Sequence, residues 1–301
     1  MINTYQQKID KVKSYIEENL TDKLDLEKLA EISNFSKYHF SRIFAAIEGA
    51  TPIEFVTNRR MDRSAEYLKT TDKTILEIAS LCGFDTLSSF NAAFKKYYRK
   101  TPSELRKELS NNPSASRNNE EERSSPSYYY DVSKNHFLRR IWDMNITLEE
   151  LPDMEVAYVR KTGSYLDTRK AWDKLLKWSY QNWIDQTKSS YIGISLDNPA
   201  EVPEDECRYD VCVTVPEGFN KKEDPDVKYR TLQGGLYALY RFHDTIDKLA
   251  IAYSSIFGQW LPNSEYDADD RDCLEFCLND PAKDPEGKGI VNLYIPIRKR
   301  T

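Results

Sequence analysis

One self-similarity constrains this chain more than any other feature. Leu26-Glu27-Lys28-Leu29-Ala30 recurs 49 residues later as Ile75-Leu76-Glu77-Ile78-Ala79, and Phe35 recurs as Phe84. After one inserted residue the spacing becomes 50, so that Phe40 matches Phe90, Phe44 matches Phe94, and Thr51-Pro52 matches Thr101-Pro102. A repeat of this length is one supersecondary unit used twice. Each copy reads as a helix, a tight turn, a second helix and a Thr-Pro step that opens another helix. That is the layout of a helix-turn-helix motif. The apolar period agrees: Ile9, Val12, Ile16 and Leu20, then Leu26, Leu29 and Ala30, then Phe40, Ile43, Phe44 and Ile47 fall at helical spacing. Ser36 and Asp85 stand where N-caps are wanted, and about seven short helices fit before residue 110.

A length of 301 residues suits two domains and a linker rather than one core. Hydrophobic residues at 40% and aromatics at 12% are enough to build both. No apolar stretch approaches a signal-peptide core or a membrane span, so the expectation is a soluble protein of the cytoplasm, associated with the nucleoid if it binds DNA. Cysteines 82, 207, 212, 273 and 277 make no CxxC pair and read as small buried residues in a reducing compartment, with no metal or other cofactor implied. The net charge of −6 is unevenly divided. Residues 1–110 hold 18 Lys+Arg against 16 Asp+Glu, and the remainder holds 25 against 33. Any phosphate-binding surface must therefore come from the arrangement of charges in the first part.

Residues 110–127 have no apolar period and are dense in Ser, Asn, Pro and charge, the composition of a linker. Residues 128–144 regain aromatics and read as a connecting arm. The expected organisation is an all-α domain over 1–109, the linker, the arm, and an α+β domain over 145–301.

The run Gly83-Phe84, Ser89-Phe90, Phe94-Lys95-Lys96, Thr101-Pro102 and Arg106 resembles the signature of AraC/XylS-type transcription regulators over roughly residues 5–109. The resemblance implies two helix-turn-helix units joined by one long helix, here 52 to about 69. It also implies recognition helices at 36–47 and 86–97 set in successive major grooves, on the order of 34 Å apart. Removing the core positions leaves Lys37, Tyr38, Ser41 and Arg42 on the open face of the first recognition helix. Arg42 can fork onto guanine, and Tyr38 can stack on sugar or a thymine methyl. On the second, the open set is Leu87, Ser88, Asn91 and Ala92, with Lys95 and Lys96 nearer phosphate. This implies that the first helix supplies more base readout and the second mainly positions the protein. Taken alone, an exposed arginine or a lysine pair is a solvated charge; the matched double repeat is what favours contact with DNA.

Beyond residue 145 the pattern becomes strands and two helices, with a second repeat. Residues 151–160 parallel 232–241, each followed by an amphipathic helix and two strand-like runs, at 190–196 and 207–215 and then at 272–279 and 290–297. The layout is β-α-β-β twice, a sheet with helices on one side. That order, with Tyr191-Ile192-Gly193-Ile194-Ser195 and Cys273-Leu274-Glu275-Phe276-Cys277, is similar to GyrI-like effector-binding domains, and the whole chain resembles the Rob-like regulators. Strand alternation puts Glu275 on the face away from Leu274, Phe276 and Leu278. A mid-strand carboxylate is costly to bury unless paired, and the resemblance implies a cationic, aromatic effector as its partner. Effector candidates are Trp183, Tyr191, Tyr209, Trp260, Glu275 and Tyr294. Trp172, Trp260 and Tyr209 fit a plain core as well, and Glu275 fits a pair with Arg271 or a solvent-facing site.

The function expected is a ligand-responsive, sequence-specific regulator that binds double-stranded DNA, a small effector and RNA polymerase, as a monomer or weak dimer and not as an enzyme. Two alternatives stay open. The second domain can act as a small-molecule hydrolase through its carboxylate, or as a protein-partner module without a ligand.

Overall fold

The computed structural model describes residues 4–111, 145–199 and 201–300. The chain divides into two compact units, Met1–Asp131 and Val132–Thr301. The linker beyond Asn111 and the connecting arm lie outside the described residues.

Seven helices make up the described part of the first unit: α1 Thr4–Glu18, α2 Leu26–Ser33, α3 Lys37–Glu48, α4 Pro52–Thr70, α5 Ile75–Leu81, α6 Leu87–Tyr98 and α7 Pro102–Asn111. The sequence repeat is a structural repeat. Phe40 and Phe44 lie 5.6 Å apart between ring centroids in the first copy, and Phe90 and Phe94 lie 5.6 Å apart in the second. All four are fully buried. The turns repeat as well. Asn34 and Gly83 end α2 and α5 in left-handed geometry (φ +55° and +75°), and Gly49 and Arg99 do so after α3 and α6 (φ +75° and +58°). At each of the two turns one copy uses glycine and the other tolerates a different residue: Asn34 where the second copy has Gly83, and Arg99 where the first has Gly49.

Helix α4 packs against α2, α3, α5, α6 and α7 and is the spine of the unit. Its Arg60 donates to Leu20 O at 2.9 Å and Asp22 O at 2.7 Å, while the guanidinium lies 5.7 Å from the Phe84 ring. One side chain thus ties the end of the first helix to the second motif's turn. Burial of this guanidinium pulls its pKa below the ordinary value. Gly83 passes so close that a Cβ there would stand 2.7 Å from Leu20 O and 2.9 Å from Arg60 Nη2.

Helix starts are capped mainly by threonine. Thr51, Thr74, Thr86 and Thr101 each accept from the backbone amide three residues on. The second recognition helix is therefore capped by Thr86 and not by Asp85. Ser36 sits at the expected cap position of α3 but makes no capping bond.

The second unit is built on strands β1 Ile146–Leu151, β2 Met154–Thr162, β3 Tyr191–Ser195, β4 Arg208–Thr214, β5 Lys228–Leu232, β6 Gly235–Asp244, β7 Tyr266–Ala268, β8 Leu274–Cys277 and β9 Gly289–Lys299. Helix α8, Arg169–Gln181, follows β2, and α9, Leu249–Ser255, follows β6. Every pairing is antiparallel, in the order β1-β6-β9-β8-β3-β4-β2-β5, with β7 on β9. The two β-α-β-β repeats are β2-α8-β3-β4 and β6-α9-β8-β9. Each is preceded by a further strand, β1 or β5, that pairs with the other repeat. The order is then symmetric about the β8–β3 junction.

This exchange bends the sheet. Six strand spacings of about 4.8 Å would separate β1 from β2 in a flat sheet, roughly 29 Å. The step from Leu151 to Met154 spans at most about 11 Å. The same holds from β5 to β6, so the sheet curls until its edges approach. The two short connections meet there. Gly234 donates its N–H to Asp153 Oδ1 at 2.7 Å, and a Cβ on Gly234 would strike Leu151 O at 2.3 Å. Arg271 completes the corner by donating to Gly234 O, Leu236 O and Ile297 O, with its guanidinium 4.5 Å from the Tyr237 ring.

One sheet face carries the helix-side core of Ala157, Val159, Tyr209, Val211 and Val213 with Ala171, Leu175 and Trp178 of α8. The other carries Val156, Ile192, Ile194, Leu239, Leu274 and Tyr294. Beyond α9 the backbone widens into a π-type turn over Ile256–Trp260, interrupting the helix that the apolar period of 246–260 describes.

Candidate DNA interface and effector site

On α6 the buried stripe of Phe90 and Phe94 fixes the helix against α4, and the opposite side is open. Leu87, Ser88, Asn91, Ala92, Lys95 and Lys96 are all exposed, as the repeat predicts. No acidic residue occurs between Asp85 and Glu104. Lys95 and Lys96 fall in the last turn.

Helix α3 differs. Lys37 is exposed, but Ser41 is 1% and Arg42 8% exposed, against the expectation of an open face. His39 and Ala46 are buried too. Apolar periodicity tells which side of a helix prefers a core; it does not tell which other sides become covered. The side chain of Tyr38 lies outside the described residues.

In the second unit the site centres on Glu275 of β8, 5% exposed. Oε2 accepts from the Tyr209 hydroxyl at 2.6 Å, and Oε1 accepts from the Tyr253 hydroxyl at 2.9 Å. Three elements deliver these groups. Tyr209 comes from β4, Tyr253 from α9, and β3 separates β4 from β8. Gly193 of β3 stands opposite Glu275 in register, and a Cβ on it would lie 1.9 Å from the Tyr209 hydroxyl oxygen. The glycine makes the space in which a phenol from one neighbouring strand crosses to a carboxylate on the other. Burial, and then the charge of Glu275, drive the Tyr209 pKa well above 10 and keep it a neutral donor. Burial likewise pushes the Cys277 thiol up to about 12.

Tyr191 shares this helix-side face. It packs on the α8 core, lies 6.3 Å from Trp172 and donates to Gln186. The remaining candidates are not brought together with Glu275. Trp183 follows the end of α8 with φ +57° and is 93% exposed. Tyr294 pairs with Leu274, lies on the opposite face and donates to Glu149 at 2.8 Å. Trp260 stacks on Tyr266, which pairs with Lys299; Glu275 pairs with Leu293, about 20 Å back along β9. Arg271 engages Asp269 and backbone carbonyls instead of Glu275. Sequence reasoning missed Tyr253, which appears only as one more apolar position of a helical period. It also missed Gly193, whose motif was visible but whose role depends on two other strands.

All five cysteines are free, and no cluster suited to a metal occurs among the described residues. No described helix is long and apolar enough to cross a membrane.

Residues 144–298 match the family described as GyrI-like small molecule binding domain, and residues 29–108 match a helix-turn-helix domain family. Over 123 residues the chain is 34% identical to the SPbeta prophage-derived putative transcriptional regulator YosT of Bacillus subtilis (strain 168), covering 40% of this chain and 80% of YosT. It is 36% identical over 98 residues to the HTH-type transcriptional activator AarP of Providencia stuartii, covering 33% of this chain and 73% of AarP. The crystal structure of the EcmrR C-terminal domain is 15% identical, with a TM-score of 0.43, over 53% of this chain and all of that one.

Proposed function

Because the chain belongs to the AraC-type helix-turn-helix regulators that carry a GyrI-like small molecule binding domain, we propose that it is a transcription regulator whose promoter activity responds to a small cationic or aromatic effector held at Glu275. The observation that carries the effector site is the buried carboxylate itself, set between the hydroxyls of Tyr209 and Tyr253 under the helices of the second unit. An organic cation is the ligand whose charge best offsets a carboxylate withdrawn from water, and nearby rings add cation–π attraction of roughly 0.5–2 kcal/mol each. Tyr209, Glu275, Tyr253 and Gly193 form the centre of the proposed site, with Tyr191 at its margin. DNA contact falls to α6 through Leu87, Ser88, Asn91, Lys95 and Lys96, and on α3 to Lys37 and Tyr38, since Ser41 and Arg42 are buried. Recruitment of RNA polymerase by a monomer or weak dimer is the proposed output.

Sensing fits better than hydrolysis. Glu275 is 5% exposed and each of its oxygens accepts from a buried phenol, a setting suited to holding an opposite charge more than to activating a freely entering water. The test is thermal unfolding of the full chain against a panel of organic cations, followed by promoter-DNA binding with and without the best stabiliser. A ligand at 100 times its Kd should add about 2.7 kcal/mol to the stability of the state that binds it. Glu275→Gln should abolish that gain. A stabilising cation whose effect survives Glu275→Gln places the site elsewhere.

A further inference from the structure

We propose that α6 reads A·T base pairs directly, with the Asn91 amide on adenine and Leu87 and Ala92 against thymine methyl groups. The inference rests on the regulator reading above and adds the chemistry of one half-site.

The face that α6 leaves open has an unusual composition. A surface helix ordinarily turns charged residues to water. Here the first two turns present Leu87, Ser88, Asn91 and Ala92, at positions i, i+1, i+4 and i+5, and carry no charge. Charge begins at Lys95 and Lys96 and continues at Arg99, which is exposed beyond the helix end. This gradient follows the length of a recognition helix, whose N-terminal residues meet base edges while its far end lies nearer the backbone. Phe90 and Phe94 are fully buried against the rest of the unit, so the helix cannot roll to offer another face.

The side chains then select the base. Guanine is read by Arg or Lys on O6 and N7, and neither residue type occurs between Thr86 and Phe94. An Asn amide matches the N6 donor and N7 acceptor of adenine, and apolar side chains match only the thymine C5 methyl. The exposed Leu87, an ordinary surface residue by itself, stands one helical turn from Asn91, as it must to meet a methyl on an adjacent pair. On this proposal α6 does more than position the protein: it reads bases by methyl contact and a single amide.

The test selects duplexes from a random library with the full-length chain at fixed salt. It then measures affinity for the selected site and its single-pair variants. Two conserved blocks about one helical turn apart are expected, one of them built of A·T pairs. Changing an A·T pair in that block to G·C should weaken the unmodified protein about fivefold to a hundredfold. Asn91→Ala should flatten discrimination at one pair of that block and leave the other block unaffected. Replacing thymine by deoxyuridine in the block removes only the methyl group. It should cost the unmodified protein several-fold in affinity and cost Leu87→Ala less, by the share that Leu87 supplies; the measurement on the unmodified protein needs no variant to fold. Selective binding that is indifferent to deoxyuridine and to Asn91→Ala, or a responsive block of G·C pairs, overturns the inference and leaves the regulator reading standing. No enrichment of any sequence overturns both.

Discussion

A methyl group added at position 193 would lie 1.9 Å from the Tyr209 hydroxyl oxygen and 3.0 Å from Glu275 Oε2. Neither neighbour can retreat cheaply, because Tyr209 and Glu275 are both buried and hold each other. Gly193→Ala is therefore expected to cost about 1–3 kcal/mol through overpacking and to break the phenol–carboxylate bond. Tyr209→Phe removes one donor and leaves Oε2 short of it, a loss of about 1–3 kcal/mol without added bulk. Chemical denaturation of the two variants checks both numbers, and an unchanged Gly193→Ala would mean that the strands part to absorb the methyl. Strand alternation in the sequence was enough to turn Glu275 away from Leu274 and Phe276. Its donors were not legible. They arrive from 66 and 22 residues upstream, and only the sheet order brings them together. Local period likewise set no limit on the partners of Tyr294, whose register against Leu274 puts it behind the sheet.

Among elements, the helix boundaries carry the clearest local signal. The predicted recognition helices at 36–47 and 86–97 differ by one residue from Lys37–Glu48 and Leu87–Tyr98. The single-residue error has a cause: Asp85 and Thr86 are both good caps, and the Thr86 hydroxyl is the one that receives the Ser89 amide. Thr51 is buried and caps the spine helix, so Thr51→Ala should cost about 1 kcal/mol in urea unfolding. The boxes at Thr74–Glu77 and Thr101–Glu104 add a pH dependence. In each, the carboxylate accepts from the threonine N–H and hydroxyl. These bonds hold both glutamates below the ordinary value of 4.5. A folded pKa below the unfolded one stabilises the protein at neutral pH, and that stability disappears as pH falls through the depressed value. Glu104→Gln should thus melt below the parent at pH 7, with the gap closing under acid. A gap that does not narrow as acid is added would assign the loss to something other than the ionised cap.

For the molecule as a whole, the sequence showed two β-α-β-β repeats but not the exchange of β1 and β5 between them, since antiparallel partners distant in sequence leave no mark on local pattern. It did show that charge is divided, and this bears on how a chain of net charge −6 holds DNA. Screening limits each charge to about 10 Å at ordinary salt, so a phosphate bound at the end of α6 senses the patch of Lys95 and Lys96 far more than the chain's net charge. Association should then depend on salt through the phosphates that patch neutralises, with log K falling by about 0.9 per phosphate for each decade of salt. Replacing Lys95 and Lys96 by Ala should lower that slope by about 1.8. Replacing Lys188 and Lys283, 83% and 84% exposed on the second unit, changes the net charge equally and should leave the slope alone. Binding titrations from low to moderate salt decide between the two. If the second pair lowers the slope as much as the first, net charge governs association and the open face of α6 has no privileged contact with the backbone.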